Sequence, residues 1–155
     1  MRLIRLSASR RRQAGSSLFE VMIAVLVLST GMLGVAAMQS ASLRNSQSAL
    51  QRSNAIMYSY AIVDAMRANV DAARANAYNL ALPSTGCPVP SAGSTLASQD
   101  LNYWLTSMRT NRAMGASACG GVNCAAGVCE IVVRWNDEAG SGGSAAQSLR
   151  TRSRL

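Results

Sequence analysis

An apolar run that no charge interrupts follows a cluster of arginines near the start of this 155-residue chain. Residues 15–43 read G-SSLFE-VMIAVLVLSTGMLGVAAMQSASL. Arg2, Arg5, Arg10, Arg11 and Arg12 precede them, and after Glu20 no charged residue appears until Arg44. At a rise of about 1.5 Å per residue, residues 18–38 span roughly 30 Å as a helix, the thickness of a bilayer core. A segment so long and so apolar predicts a membrane span. The arginine asymmetry predicts residues 1–15 on the cytoplasmic side and everything past Met38 outside the inner membrane. Glu20 is the odd residue in the run. A carboxylate at the centre of a membrane helix costs about 2.5–3.5 kcal/mol, and such residues are usually functional. Glu20 lies near the start of the span, where the cost is lower. A plainer role there is that of a first-turn carboxylate that favours the helix dipole.

The sequence Gly15-Ser16-Ser17-Leu18-Phe19-Glu20 resembles the leader junction of type IV prepilins, and the resemblance covers about residues 10–45. It implies a short basic leader, residues 1–15, that lies outside the fold. It implies cleavage between Gly15 and Ser16 by a prepilin peptidase, N-methylation of Ser16, and Glu20 as the fifth residue of the mature chain. Ser16 stands where most pilins begin with Phe. The run V-M-I-A-V-L-V-L-S-T-G-M-L-G at 21–34 looks closest to minor pilins of the pilus-modification type. So does Asp64-Ala65-Met66-Arg67-Ala68-Asn69, which matches their D-x-M-R-A-N pattern. Two other export signals fit less well. A secretory signal cut near Val35-Ala36-Ala37 leaves Glu20 unexplained. A twin-arginine signal at Ser9-Arg10-Arg11 lacks the apolar pair that should follow, since Gln13-Ala14 stands there.

The net charge of +8 overstates the basic character of the rest. Five of the fifteen arginines lie in the leader, so residues 16–155 carry ten against seven acids, a net of +3. There is no Lys and no His, which removes the commonest general base and the commonest zinc ligand. Arg150, Arg152 and Arg154 are three charges without interleaved aromatics, so a nucleic-acid partner is not expected. No Gly-rich phosphate loop occurs and the acids are scattered; only Asp137 and Glu138 are adjacent. An enzyme is not expected, and no cofactor is implied.

Along the chain, residues 16–43 read as the apolar helix, with Gly31 and Gly34 inside it. Glycine there serves either flexibility or close approach of neighbouring helices. Residues 44–79 read as its amphipathic continuation. Leu43, Leu50, Ile56, Met57, Tyr60, Val63, Met66 and Val70 form the expected apolar stripe, and Asp71 is expected to pair with Arg67 or Arg74. Pro83, Gly86, Pro88, Pro90 and Gly93 make residues 80–99 a loop. Residues 100–112 read as a short helix with Asp100 at its N-terminus and Leu101, Trp104, Leu105 and Met108 on one core face. Residues 130–135 read as a strand, residues 136–140 as a turn and 141–144 as a flexible link. The tail from Ser148 alternates with arginine; it is either a basic edge strand on 130–135 or unstructured.

Cys87, Cys119, Cys124 and Cys129 all follow the span, where disulfides are the default in an oxidising compartment. Four cysteines allow three pairings. The preferred one has Cys124–Cys129 closing a short loop and Cys87–Cys119 tying the long loop to the sheet. The rival is a four-cysteine zinc site, but the spacing C-x4-C-x4-C departs from paired C-x2-C; no metal is expected.

These readings predict an α+β, pilin-like fold: a long N-terminal helix, its apolar half membrane-spanning, packed on a small antiparallel sheet with a disulfide-stapled C-terminal region. The expected division is a leader at 1–15, a membrane or filament-core helix at 16–43 and a periplasmic head at 44–155. The resemblance implies a minor pilin in type IV pilus assembly, serving twitching motility and adhesion. Its implied partners are the prepilin peptidase/methyltransferase, other minor pilins, the major pilin, a tip adhesin and inner-membrane lipid. A minor pseudopilin of type II secretion shares the first forty residues' pattern. A membrane-anchored periplasmic binding module is the alternative outside that class.

Overall fold

The computed structural model describes residues 15, 17–140 and 142–155; residues 1–14, on which the expected leader falls, Ser16 and Ser141 lie outside the described residues. The elements are α1 (Leu18–Ala68), α2 (Val70–Arg74), α3 (Leu96–Thr110), β1 (Cys119–Ala125), β2 (Val128–Trp135) and β3 (Gln147–Arg154). The chain divides into two compact units, one running to Gln39 and the other Ser40–Leu155. The fold is α+β and pilin-like, with a long N-terminal helix, a three-stranded antiparallel sheet and two disulfides in the C-terminal region.

The helix α1 runs for 51 residues with no proline, rich in alanine, leucine and methionine. It passes through Gly31 and Gly34 without a break. Ser29 and Thr30 donate their hydroxyls to the carbonyls of Leu26 and Val27 one turn back. The helix thereby satisfies its own polar side chains within an apolar stretch. It ends at Asn69, whose backbone leaves helical angles (φ −127, ψ 56), and the five-residue α2 follows. The helix expected to continue to residue 79 is thus interrupted, and Asn76 turns the chain with positive φ. Arg67 pairs with Asp64 at 3.3 Å, within α1; the break separates it from Asp71, and Arg74, although in α2 with Asp71, does not pair with it among the described residues.

In the unit Ser40–Leu155, α1 buries Asn54, Ala55, Ser59, Ile62, Val63 and Met66. Of the apolar stripe expected from sequence, only Val63 and Met66 are buried; Leu43, Leu50, Ile56, Met57 and Tyr60 are exposed. The reason is steric. Ala55 and Ser59 are small, and Ser59 donates its hydroxyl to the Ala55 carbonyl (2.8 Å), so this face can pack closely without large side chains. A pattern weighted by large apolar residues points to the wrong side of the helix.

The helix α3 starts at Leu96, earlier than expected, because Thr95 caps it by accepting from the Ser98 N–H. It buries Leu101, Trp104, Leu105 and Met108, the expected face. The Trp104 indole donates to the Tyr58 carbonyl (2.9 Å) and the Tyr58 hydroxyl donates to the Ser107 carbonyl (3.0 Å), which locks α3 to α1.

The strands lie in the order β1-β2-β3, all antiparallel. Ala126 and Gly127, both with positive φ, make the two-residue turn between β1 and β2. Val122, Ile131, Val133 and Trp135 face the core. Gly120 is there because Trp104 lies against it: a Cβ would come within 2.2 Å of the indole ring. A Cβ at Gly121, on the opposite face, would come within 2.8 Å of Leu82. The glycines of β1 are therefore contact surfaces for an indole and a loop.

Candidate functional site

The candidate site is the start of α1 together with its apolar surface. Ser17 accepts from the Glu20 N–H through its hydroxyl (3.2 Å) and its carbonyl (3.0 Å). Ser17-x-x-Glu20 is thus a helix start in which the serine cap is made. The spacing S-x-x-E carried that signal, and the sequence reading passed over it in favour of the leader junction. Glu20 sits in the first turn, where a carboxylate favours the helix dipole. Its carboxylate forms no ion pair among the described residues. Gly15 is exposed and a Cβ there would meet nothing within 4 Å, while Ser16, the other residue of the expected junction, lies outside the described residues.

Around and beyond Glu20 the surface is apolar on every side. Leu18 (80% exposed), Phe19, Met22, Leu26, Val27 and Leu33 are all open, and no residue of the most apolar window is buried. A Cβ at Gly31 or Gly34 would meet nothing within 4 Å. A helix this apolar all round needs lipid or other helices about it, because water cannot solvate it favourably. It is long and apolar enough to cross a membrane and fits membrane anchoring.

The second unit positions its own chemistry. The structure pairs Cys87 with Cys119 and Cys124 with Cys129, and no cysteine is free. A zinc site would need these sulfurs as thiolates. Cys124 and Cys129 stand directly opposite each other on β1 and β2. Beside them Asn79 clamps β1: its side-chain oxygen accepts from the Cys124 N–H (2.7 Å) and its amide donates to the Cys124 carbonyl (3.4 Å). Leu80 exchanges both backbone hydrogen bonds with Val122.

The segment Asp64-Ala65-Met66-Arg67-Ala68-Asn69 finds a physical role at the end of α1. Met66 is wholly buried beside Cys124. Arg67 reaches Ser153 on β3 (3.3 Å), and Asn69 donates to the Tyr78 hydroxyl (3.3 Å). Tyr78 is itself fully buried and donates to Asp100 at 2.5 Å. Asp100 is therefore this tyrosine's acceptor and not the cap of α3. Burial first, then the bond to Asp100, push the Tyr78 hydroxyl up to about 12, against a smaller opposing effect of Asn69. Nothing in the composition marked this pair; it exists because the turn after α2 carries Tyr78 to α3.

On the face of the sheet away from the core, Glu130 accepts from Arg150 and Arg152 at 2.7 Å each. Those bonds, Arg152 before Arg150, hold its carboxyl below the usual value. The tail is the third strand of the sheet, one of the two alternatives the sequence left open.

Residues 10–36 match the family model described as the prokaryotic N-terminal methylation motif. No curated protein and no solved structure matches the chain. The match, with the apolar helix that it covers, supports a type IV pilin-like or pseudopilin protein, a class that is generally structural and not catalytic.

Proposed function

We propose that this chain is a minor pilin of the PilV kind, acting in assembly of a type IV pilus at the inner membrane. The observation that carries the reading is Glu20. It stands five residues past Gly15, inside the methylation motif, without an ionic partner among the described residues, at the start of an exposed apolar helix.

The mechanism follows from charge and desolvation. A prepilin peptidase removes residues 1–15 by cutting between Gly15 and Ser16, and the new terminus at Ser16 is methylated. The terminal amine has an ordinary pKa of about 7.7–8.0 without methylation and carries positive charge at neutral pH. When helices bundle, an unpaired carboxylate becomes costly, and the amine of a neighbouring subunit neutralises Glu20. That pairing sets the register between subunits. Residues 16–43 first hold the chain in the membrane and then bury the same surface against other pilin helices. Gly31 and Gly34, whose sides are open, admit a neighbouring helix at close range. Residues 44–155 form the periplasmic head, which meets the other minor pilins, the major pilin and a tip adhesin, in support of twitching motility and adhesion.

The test is the intact mass and N-terminal sequence of membrane-extracted protein from cells with and without the prepilin peptidase. The expected chain begins at Ser16, carries one added methyl and appears only with the peptidase. An uncut chain in peptidase-positive cells, or a start near Met38, overturns the reading. Type II secretion pseudopilins share the methylation motif. Deletion separates the two systems: loss of surface pili and twitching supports the pilus, and loss of secreted enzymes with pili intact supports the pseudopilin.

A further inference from the structure

The sheet has two edges, and they are treated differently. At β1 the edge is engaged by Leu80 at Val122 and by the Asn79 amide at Cys124. At β3 no backbone group of another element is hydrogen-bonded along the edge among the described residues; Arg67 of α1 reaches only the Ser153 hydroxyl. Which groups it presents follows from the register. Val122 turns its N–H and C=O toward Leu80, so its β2 partner Ile131 turns its own toward β3. Alternation along an antiparallel ladder then bonds Leu149 and Thr151 to β2. Ser148, Arg150 and Arg152 are left with backbone groups facing outward.

The side chains of Arg150 and Arg152 stand on the sheet's outer face, 68% and 76% exposed, and Arg154 is exposed in the same alternation. Arg134 of β2 shares that face. Glu130 is the only carboxylate facing them from the paired strands, and both Arg150 and Arg152 already use it. The face therefore keeps an excess of positive charge. A second copy of β3 laid antiparallel on this edge would bring arginines near arginines, which destabilises cross-strand pairs. An added strand with carboxylates at alternate positions would meet them with opposite charge.

We propose that the free edge of β3 is a docking site for an extended acidic segment of another polypeptide, added antiparallel as a fourth strand. The backbone of Ser148, Arg150 and Arg152 supplies the hydrogen bonds, and Arg150 and Arg152 supply the selectivity. This does not depend on the pilin reading, since any protein with this sheet would present the same edge.

The geometry makes a narrow demand. A residue directly opposite Arg150 or Arg152 has its side chain on the same face and its N–H and C=O aimed at β3. In a peptide alternating threonine and glutamate, the glutamates must therefore carry the pairing amides. The experiment measures binding of three labelled eight-residue peptides to the full-length chain in neutral detergent, by fluorescence anisotropy at low salt. One is the plain alternating Thr-Glu peptide, one is N-methylated at every glutamate, and one is N-methylated at every threonine. The expected result is binding of the plain and threonine-methylated peptides within about threefold of each other. The glutamate-methylated peptide should bind at least about tenfold more weakly, because several hydrogen bonds are lost. Hydrogen exchange should slow at the amides of Arg150 and Arg152 when the plain peptide is bound. Ser148→Pro, which removes an outward N–H and no bond to β2, should weaken the plain peptide. Equal binding of both methylated peptides overturns the proposal, as does equal binding of an alternating Thr-Lys peptide. So does failure of the plain peptide to bind, whether or not anionic phospholipid vesicles bind.

Discussion

Two parts of α1 carry the same kinds of side chain and meet opposite surroundings. Leu26, Val27 and Leu28 are each about three-fifths exposed, while Ile62, Val63 and Met66 are almost wholly buried by α3 and the sheet. The unit Ser40–Leu155 completes its burial within the chain and is stapled by two disulfides. The residues 18–38 complete nothing by themselves. The difference teaches where the chain needs another molecule. Hydrophobic burial is worth about 25 cal/mol per Å² wherever it is found, and the head takes it from its own core. The N-terminal stretch leaves it for lipid or for other helices.

Both tryptophans lie in the head and are buried, so their fluorescence reports on that unit alone. With the full chain in detergent, urea titration by this signal can break the comparison. The largest effect should come from Cys87→Ser with Cys119→Ser. By the loop-entropy relation, this bridge, whose ends are 32 residues apart, contributes about 3–4 kcal/mol, and its loss should lower the head's stability by that order. Removing Cys124–Cys129, with ends 5 residues apart, should cost nearer 2 kcal/mol. An equal loss from both would refute the loop-length account.

Glycines sharpen the contrast. Gly120→Ala drives a methyl into Trp104 and should cost about 1–3 kcal/mol. Gly31→Ala meets nothing within 4 Å and should leave the head's unfolding unchanged within about 0.5 kcal/mol. If Gly31→Ala moved the tryptophan transition as far as Gly120→Ala, the two units would not be independent.

Alkaline pH tests the buried tyrosine. Folding raises the Tyr78 pKa from 10.0 to about 12, so the native state favours the protonated phenol. The stabilisation is complete below pH 10 and is lost as pH rises through 12, by about 3 kcal/mol in all. Stability measured from pH 9 to 12 should fall in the native chain, and the Tyr78 part of that fall should vanish in Tyr78→Phe. One small effect should be a gain. Ala126 holds positive φ in the β1–β2 turn, and Ala126→Asn should stabilise the head by about 0.5–1 kcal/mol. A loss there would show that the alanine makes contacts the turn geometry does not explain.

Much of this was legible in the amino-acid order, and the failures have causes. The α3 face of Leu101, Trp104, Leu105 and Met108 was plain because a short helix on one core buries one stripe. The stripe on α1 was misread because that helix carries apolar side chains on more than one side. The buried side includes the small Ala55 and Ser59 and the polar Asn54, which a pattern weighted by large apolar residues passes over. β1 was hidden because Gly120 and Gly121 are poor strand formers in isolation; they are chosen for Trp104 and Leu82, which come from elsewhere in the chain. The S-x-x-E cap was written in four consecutive residues and was still overlooked.

By itself, the sequence determined the long helix, its apolar surface, the carboxylate at its start and the compartment logic of the four cysteines. These are properties of neighbouring residues, set by composition and by periods of a few positions. Tertiary structure alone decided which face of α1 is core and how Tyr78 finds Asp100. It also chose between strand and unstructured tail for 147–154 and selected one cysteine pairing from three. Each of those depends on residues tens of positions apart meeting in space, and no local pattern encodes the distance between them.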